Sequence, residues 1–162
     1  MKCLSFQQPY ASMIIVGAKS VECRTRKINT PVKDLVVCAS KTARFYAPVP
    51  GMVYGYAIRM IDIVDCVPFK KKHLKKAMMS KMPEEGNYAY ILEKPRMIVP
   101  RPVKASASFF HVDFEPEIIN PDKDTYRKYM LPVAQRGDKD YIEDILYMMF
   151  DDHNDFWFGF EL

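Results

Sequence analysis

The chain has 162 residues, 49% of them hydrophobic, which is enough to bury a real core and is most simply one domain with an appendage. No stretch is apolar enough to span a bilayer, and the N-terminus lacks the basic and apolar regions of a signal peptide, so a soluble, intracellular, cytoplasmic protein is expected. The net charge of +4 is unevenly divided: residues 1–112 hold 19 Lys and Arg against 7 Asp and Glu, a balance of +12, whereas residues 113–162 hold 5 against 13, a balance of −8. A basic body of this kind points to a polyanion-binding surface.

In chain order, a short strand ending near Phe6 feeds a helix opened by Pro9 and closed by Gly17, since proline suits a first helical turn and glycine the left-handed position just past the end. If Ser20 to Arg24 is extended, Ser20, Glu22 and Arg24 share one face while Val21 and Cys23 take the other, with Lys19 at the hinge. A lysine, a carboxylate and an arginine gathered this closely pair, bind an anion or do proton chemistry. Asp34 to Ser40 reads as a buried strand, and Met52 to Val67 as a strand bulged at Gly55 with Tyr54, Tyr56, Ile58 and Met60 on one face. Phe69 to Met82 switches to helical period: Leu74, Met78 and Met82 form an apolar stripe, and Lys70, Lys71, Lys72, Lys75, Lys76 and Lys81 crowd the remainder. Charge runs usually mean a solvated face. Asn87 to Glu93 and Arg96 to Lys104 read as two further strands, with Pro95, Pro100 and Pro102 confining parts of the second to an edge.

After a linker from Pro116 to Pro121, a short helix is expected over Thr125 to Leu131, and a second one, capped by Asp138, through about Phe150 with Ile142, Ile145, Leu146 and Met149 on one face. The closing aromatics Phe156, Trp157, Phe158 and Phe160 are expected to extend the core, and a partner-docking segment is the alternative. Cys3, Cys23, Cys38 and Cys66 form no CxxC, and His73, His111 and His153 stand apart. Buried free thiols are therefore expected, with no metal site, disulfide framework or cofactor.

The run Leu4-Ser5-Phe6-Gln7-Gln8-Pro9-Tyr10-Ala11, followed by Gly17-Ala18-Lys19-Ser20-Val21-Glu22-Cys23-Arg24, resembles the signature of the ASCH domain. Further landmarks come in order: Leu35 to Ser40, Gly51 to Cys66, Tyr88 to Pro95, and Pro102-Val103-Lys104. The resemblance spans roughly residues 1–112 and implies an α+β fold, a small PUA-like mixed β-barrel with flanking helices and a polar cleft beside the first helix. Residues 113–162 are expected as a mainly helical extension packed on it. The family is tied mostly to RNA, to coregulator proteins and, in a few members, to hydrolysis.

Three functions follow. In the first, the cleft binds nucleic acid, RNA foremost with DNA or a nucleoside also open: Lys19, Arg24, Lys41 and Lys104 engage phosphates or base acceptors, Gln8 and Glu22 meet base edges, Ser40 adds a donor, and Tyr10 or Tyr46 stacks on a base. In the second, the chain hydrolyses a modified nucleoside or RNA, with Lys19 as base or nucleophile and Glu22 as proton shuttle. The family members that remove an acyl group from a cytidine amine resemble this stretch at the lysine but have threonine where Glu22 stands. The third is a protein-interaction module. If the cleft is solvent-accessible, Lys19 and Glu22 are replaceable with little loss of stability. Charge also predicts that Asp151, Asp152 and Asp155 mimic phosphates and place the tail in competition with nucleic acid.

Overall fold

A computed structural model of the chain describes residues 1–43 and 47–152. The strands are β1 (Lys2–Phe6), β2 (Val21–Arg24), β3 (Val32–Ala39), β4 (Tyr56–Pro68), β5 (Tyr88–Pro102), β6 (Phe110–His111) and β7 (Ile118–Ile119). The helices are α1 (Tyr10–Ile15), α2 (Leu74–Ala77), α3 (Lys123–Tyr129) and α4 (Lys139–Phe150), with single 3-10 turns at Lys71–His73 and Leu131–Val133. One mixed sheet runs in the order β2-β5-β4-β3-β1-β6, with β7 added to β5 and β1 parallel to β3. The class is α+β, as expected, but the described strands do not close into a barrel: the order ends at β2 on one side and the two-residue β6 on the other.

Each face of the sheet carries its own core. Leu4, Phe6, Leu35, Val37, Ile58, Ile61, Ile63 and Met97 pack with α1 and with Tyr126, Met130, Ile145, Leu146 and Met149 from α3 and α4. Cys3, Val36, Cys38, Ala57, Met60 and Ile98 face the other way. Arg59, opposite Val37 in β3 and Met97 in β5, is fully buried on the α1 face, and its Nη2 donates to Ile15 O at 3.3 Å. All four cysteines are free; Cys3 and Cys38 are buried, Cys23 and Cys66 half-buried.

Local signals that depend on one or two residues appear where expected. Gly17 adopts φ +78 just beyond α1, and its N–H donates to Ile14 O at 3.1 Å. Pro9 itself is the residue before the helix, joined to Gln8 by a cis peptide bond, rather than the first helical one. Asp138 Oδ1 accepts from the N–H groups of Asp140 and Tyr141, and α4 turns Ile145, Leu146 and Met149 inward.

Three expected elements differ. The fourth strand begins at Tyr56, after Gly55 at φ +78, and register shifts against β5 between Ala57 and Arg59 and between Met60 and Asp62 break strict alternation. Ile58 and Met60 therefore lie on opposite faces rather than together. The two strands expected over 87–93 and 96–104 are one, β5, bent where Lys94 takes φ +49; it is flanked by both β4 and β7 at Met97 and Ile98, so this part is not an edge. Ile118 and Ile119 of β7 lie inside the expected linker.

The lysine-rich helix is much shorter than its period suggested. It ends at Ala77 because Met78 takes φ +56, and Met82 is 49% exposed instead of completing a stripe. Lysines crowding a helix start oppose the macrodipole, so little favours a longer helix there.

Candidate nucleic-acid interface

The loop after α1 turns back on itself: the Lys19 N–H donates to Met13 O at 3.1 Å and the Ser20 N–H to Lys76 O at 3.0 Å. This places Lys19 between α1, β2 and α2. Its side chain is 3% exposed, and Nζ reaches Val21 O and Ala77 O at 2.7 Å each and Glu22 Oε2 at 3.2 Å. Three acceptors match the three N–H donors of an ammonium. Burial pushes the lysine below its usual range, and the Glu22 carboxylate opposes that shift. The Tyr10 ring lies beneath the ammonium, 5.0 Å from its centroid.

Antiparallel pairing of β2 with β5 sets Glu22 and Arg24 on one face, as period two predicts. Arg24 Nε donates to Glu22 Oε1 at 2.9 Å, and Nη2 donates to Ser5 O at 2.7 Å. The guanidinium also sits 5.2 Å from the Phe6 ring centroid and stays 25% exposed. Glu22 thus takes one cation on each oxygen, and every partner is oriented by another.

These residues line a cleft of about 670 Å³ between the end of β1, β2, the end of α2 and the segment after β5. Tyr10, Lys19, Glu22, Arg24 and Ser40 line it. Three expected residues do not. Gln8 is 1% exposed; its Nε2 donates to Val53 O at 2.8 Å and its Oε1 accepts from the Ser12 N–H at 3.0 Å, so its amide locks α1 onto the loop before β4 and meets no base edge. Lys41 lies along Gly55, where an added Cβ would fall 2.8 Å from its Cγ. Lys104 is exposed beyond β5, one residue before the lining segment Ala105 to Ala107. Tyr46 lies outside the described residues.

Ser5, Phe6, Gln7 and Thr42 also line the cleft and were missed. The signal is period two along β1: Phe6 packs in the core, and exposed Gln7, not Gln8, reaches the cleft. Ser5 Oγ is buried in the cleft wall without a hydrogen-bond partner among the described residues.

Among the described residues no three His, Cys, Asp or Glu side chains gather into a metal site, and no helix is long and apolar enough to cross a membrane. Of the tail acids, Asp151 pairs with Lys123, tying α4 to α3, while Asp155 and Trp157 with their aromatic neighbours lie outside the described residues.

The family model of the ASCH domain matches residues 4–104, nearly the whole cleft and none of the acidic extension. Among solved structures, an ASCH protein from Zymomonas mobilis is similar with a TM-score of 0.51 at 16% identity, covering 83% of this chain and 96% of its own. A serine-to-alanine variant of that protein covers 91% of this chain and 94% of its own at 18% identity, with a TM-score of 0.43. The first likeness concerns the fold alone. No curated protein matches the chain.

Proposed function

Because the chain belongs to the ASCH domain family, a PUA-like fold thought to bind RNA, we propose that it binds nucleic acid, RNA foremost, by taking one base into the cleft beside α1. The observation that carries this reading is Arg24: a half-buried guanidinium backed by Phe6, oriented by Glu22 and Ser5 O, with Nη1 uncommitted among the described residues. Arginine planes and aromatic rings are the usual supports for unstacked RNA bases. A volume of about 670 Å³ falls in the range of small-molecule and cofactor sites. Glu22 offers acceptor lone pairs to base amino groups. Lys19 supplies buried positive charge rather than a direct contact. In this reading residues 1–112 carry the site and residues 113–152 complete the core behind it.

A hydrolase using Lys19 and Glu22 draws support from the lowered basicity of Lys19, but an attacking amine would have to abandon one of three bonded acceptors. Binding of a labelled single-stranded RNA, with product analysis in the same tubes, separates the two. Arg24→Gln is expected to weaken binding at least tenfold with no product in either protein. Unchanged affinity overturns the cleft reading, and product that disappears in a Lys19→Met variant still folded by its melting curve favours the hydrolase.

A further inference from the structure

The six lysines between Pro68 and Pro83 are not used by the cleft, and no acidic residue interrupts them. Lys70, Lys71, Lys72, Lys75, Lys76 and Lys81 are all exposed. Among the described residues none lies within 4.0 Å of a carboxylate, although Glu84 and Glu85 follow directly. Lys19, Arg24, Lys94, Arg96, Lys123 and Arg127 each have an acid partner, and what sets the segment apart from other unpaired cations such as Lys33 and Lys104 is its density, six lysines within twelve residues. A dense, unneutralised patch raises the local potential and costs self-repulsion, which a polyanion relieves.

The patch is also physically continuous with the cleft. Ala77 and Met79, at its C-terminal end, are cleft-lining residues. The carbonyls of Lys76 and Ala77 are held by the Ser20 N–H and by Lys19 Nζ, so Lys75 and Lys76 are fixed within one turn of the cleft wall. Lys19 and Glu22 in the cleft wall are only 3% and 14% exposed, and a base paired and stacked within a duplex has no free edge to offer them.

Resting on the cleft reading, we propose that the lysine segment is the phosphate-tracking half of the same interface, so that the ligand is single-stranded RNA with one base in the cleft and neighbouring phosphates on Lys71, Lys72, Lys75 and Lys76. Duplex RNA keeps its bases paired and meets only the patch.

The test is a salt titration of a short fluorescent single-stranded RNA against wild type, a K71Q/K72Q/K75Q/K76Q variant, the corresponding Lys→Arg variant and Arg24→Gln, each with its melting curve. Each phosphate contact on a single strand contributes about 0.7 to the log-log salt slope, so losing three or four contacts lowers the slope by about 2 to 3. The Gln variant is expected to show that drop, the Arg variant to keep the wild-type slope, and Arg24→Gln to lose affinity with a slope change of no more than about 0.7. An unchanged slope in a folded Gln variant overturns the lysine proposal while leaving the cleft reading standing. A lowered slope with unaffected Arg24→Gln keeps the patch and overturns the cleft. Equal affinity for duplex RNA overturns the single-strand assignment, and wild type that binds neither RNA overturns both.

Discussion

Lys19 shows how one side chain serves a site and a fold at once. Its ammonium is almost wholly enclosed and bonded to β2, to the end of α2 and to Glu22, so its removal leaves two backbone carbonyls and a carboxylate short of a partner. Breaking a buried pair costs about 3–5 kcal/mol. Lys19→Met is therefore expected to lose stability on that scale in urea denaturation, contrary to the small effect foreseen for an open cleft residue. Arg24→Gln, partly exposed, is expected to stay within about 1 kcal/mol of wild type. The proximity of Lys19, Glu22 and Arg24 was legible from spacing alone, since period two decides which side chains share a face. The enclosure of Lys19 was not, because Ala77 O comes from 58 positions along the chain.

Elements whose ends depend on nearby residues were read well, and those decided by distant partners were not. Asp138 caps α4 through the N–H groups of Asp140 and Tyr141, two and three residues on, so its sequence signal is complete in itself, whereas the equivalent cap of α3, Asp122, starts that helix at Lys123, two residues ahead of the expected Thr125. Replacing Asp138 by Ala is expected to cost about 0.5–2 kcal/mol, measurable as a shift in urea midpoint. The bulges of β4 and the bend of β5 arise from register against each other, which period two within either strand does not contain. The segment before α2 carries a pH dependence of its own. His73 Nδ1 accepts from the Lys70 N–H at 2.9 Å, and burial first, then Lys72, Lys70 and Lys76, pushes its pKa below the usual 6.5. A folded state that holds this proton less tightly than the unfolded chain gains stability from neutral His73 above pH 6.5 and loses it as pH falls through the lowered value. Asn keeps an acceptor without titrating, so His73→Asn is expected to flatten the stability–pH profile just below 6.5, as measured by thermal melts in matched buffers.

At the scale of the molecule, the acidic extension closes the core rather than hanging from it. Tyr126, Met130, Ile145, Leu146 and Met149 are almost wholly buried in the same cluster as Leu4 and Phe6, and Tyr126 donates its hydroxyl to Gly51 O at 2.8 Å. A chain ended at Val112 uncovers that face. It is expected to give a molten or aggregating product, recognised by lost near-ultraviolet circular dichroism and dye binding, where an independent body would melt cooperatively. The charge imbalance that set the tail apart in the sequence says where its acids lie and nothing of where its leucine and methionines go; burial, not attraction between opposite charges, holds it.

The three-way seat of the Lys19 ammonium has a mechanical corollary. A ligand that donates a proton to Glu22 Oε2 competes with Lys19 for that oxygen, and whatever tension this places on the ammonium is passed to its other anchor, the last carbonyl of a four-residue helix. Occupancy at one wall is thereby expected to reach the other, and coupling of this kind is reciprocal. Hydrogen exchange reads it directly: the Met79 N–H, bonded to Leu74 O at 3.0 Å, is expected to change its protection when the cleft fills, in wild type but not in Glu22→Gln. The short helix then acts as a needle on a dial whose spindle is a single nitrogen atom.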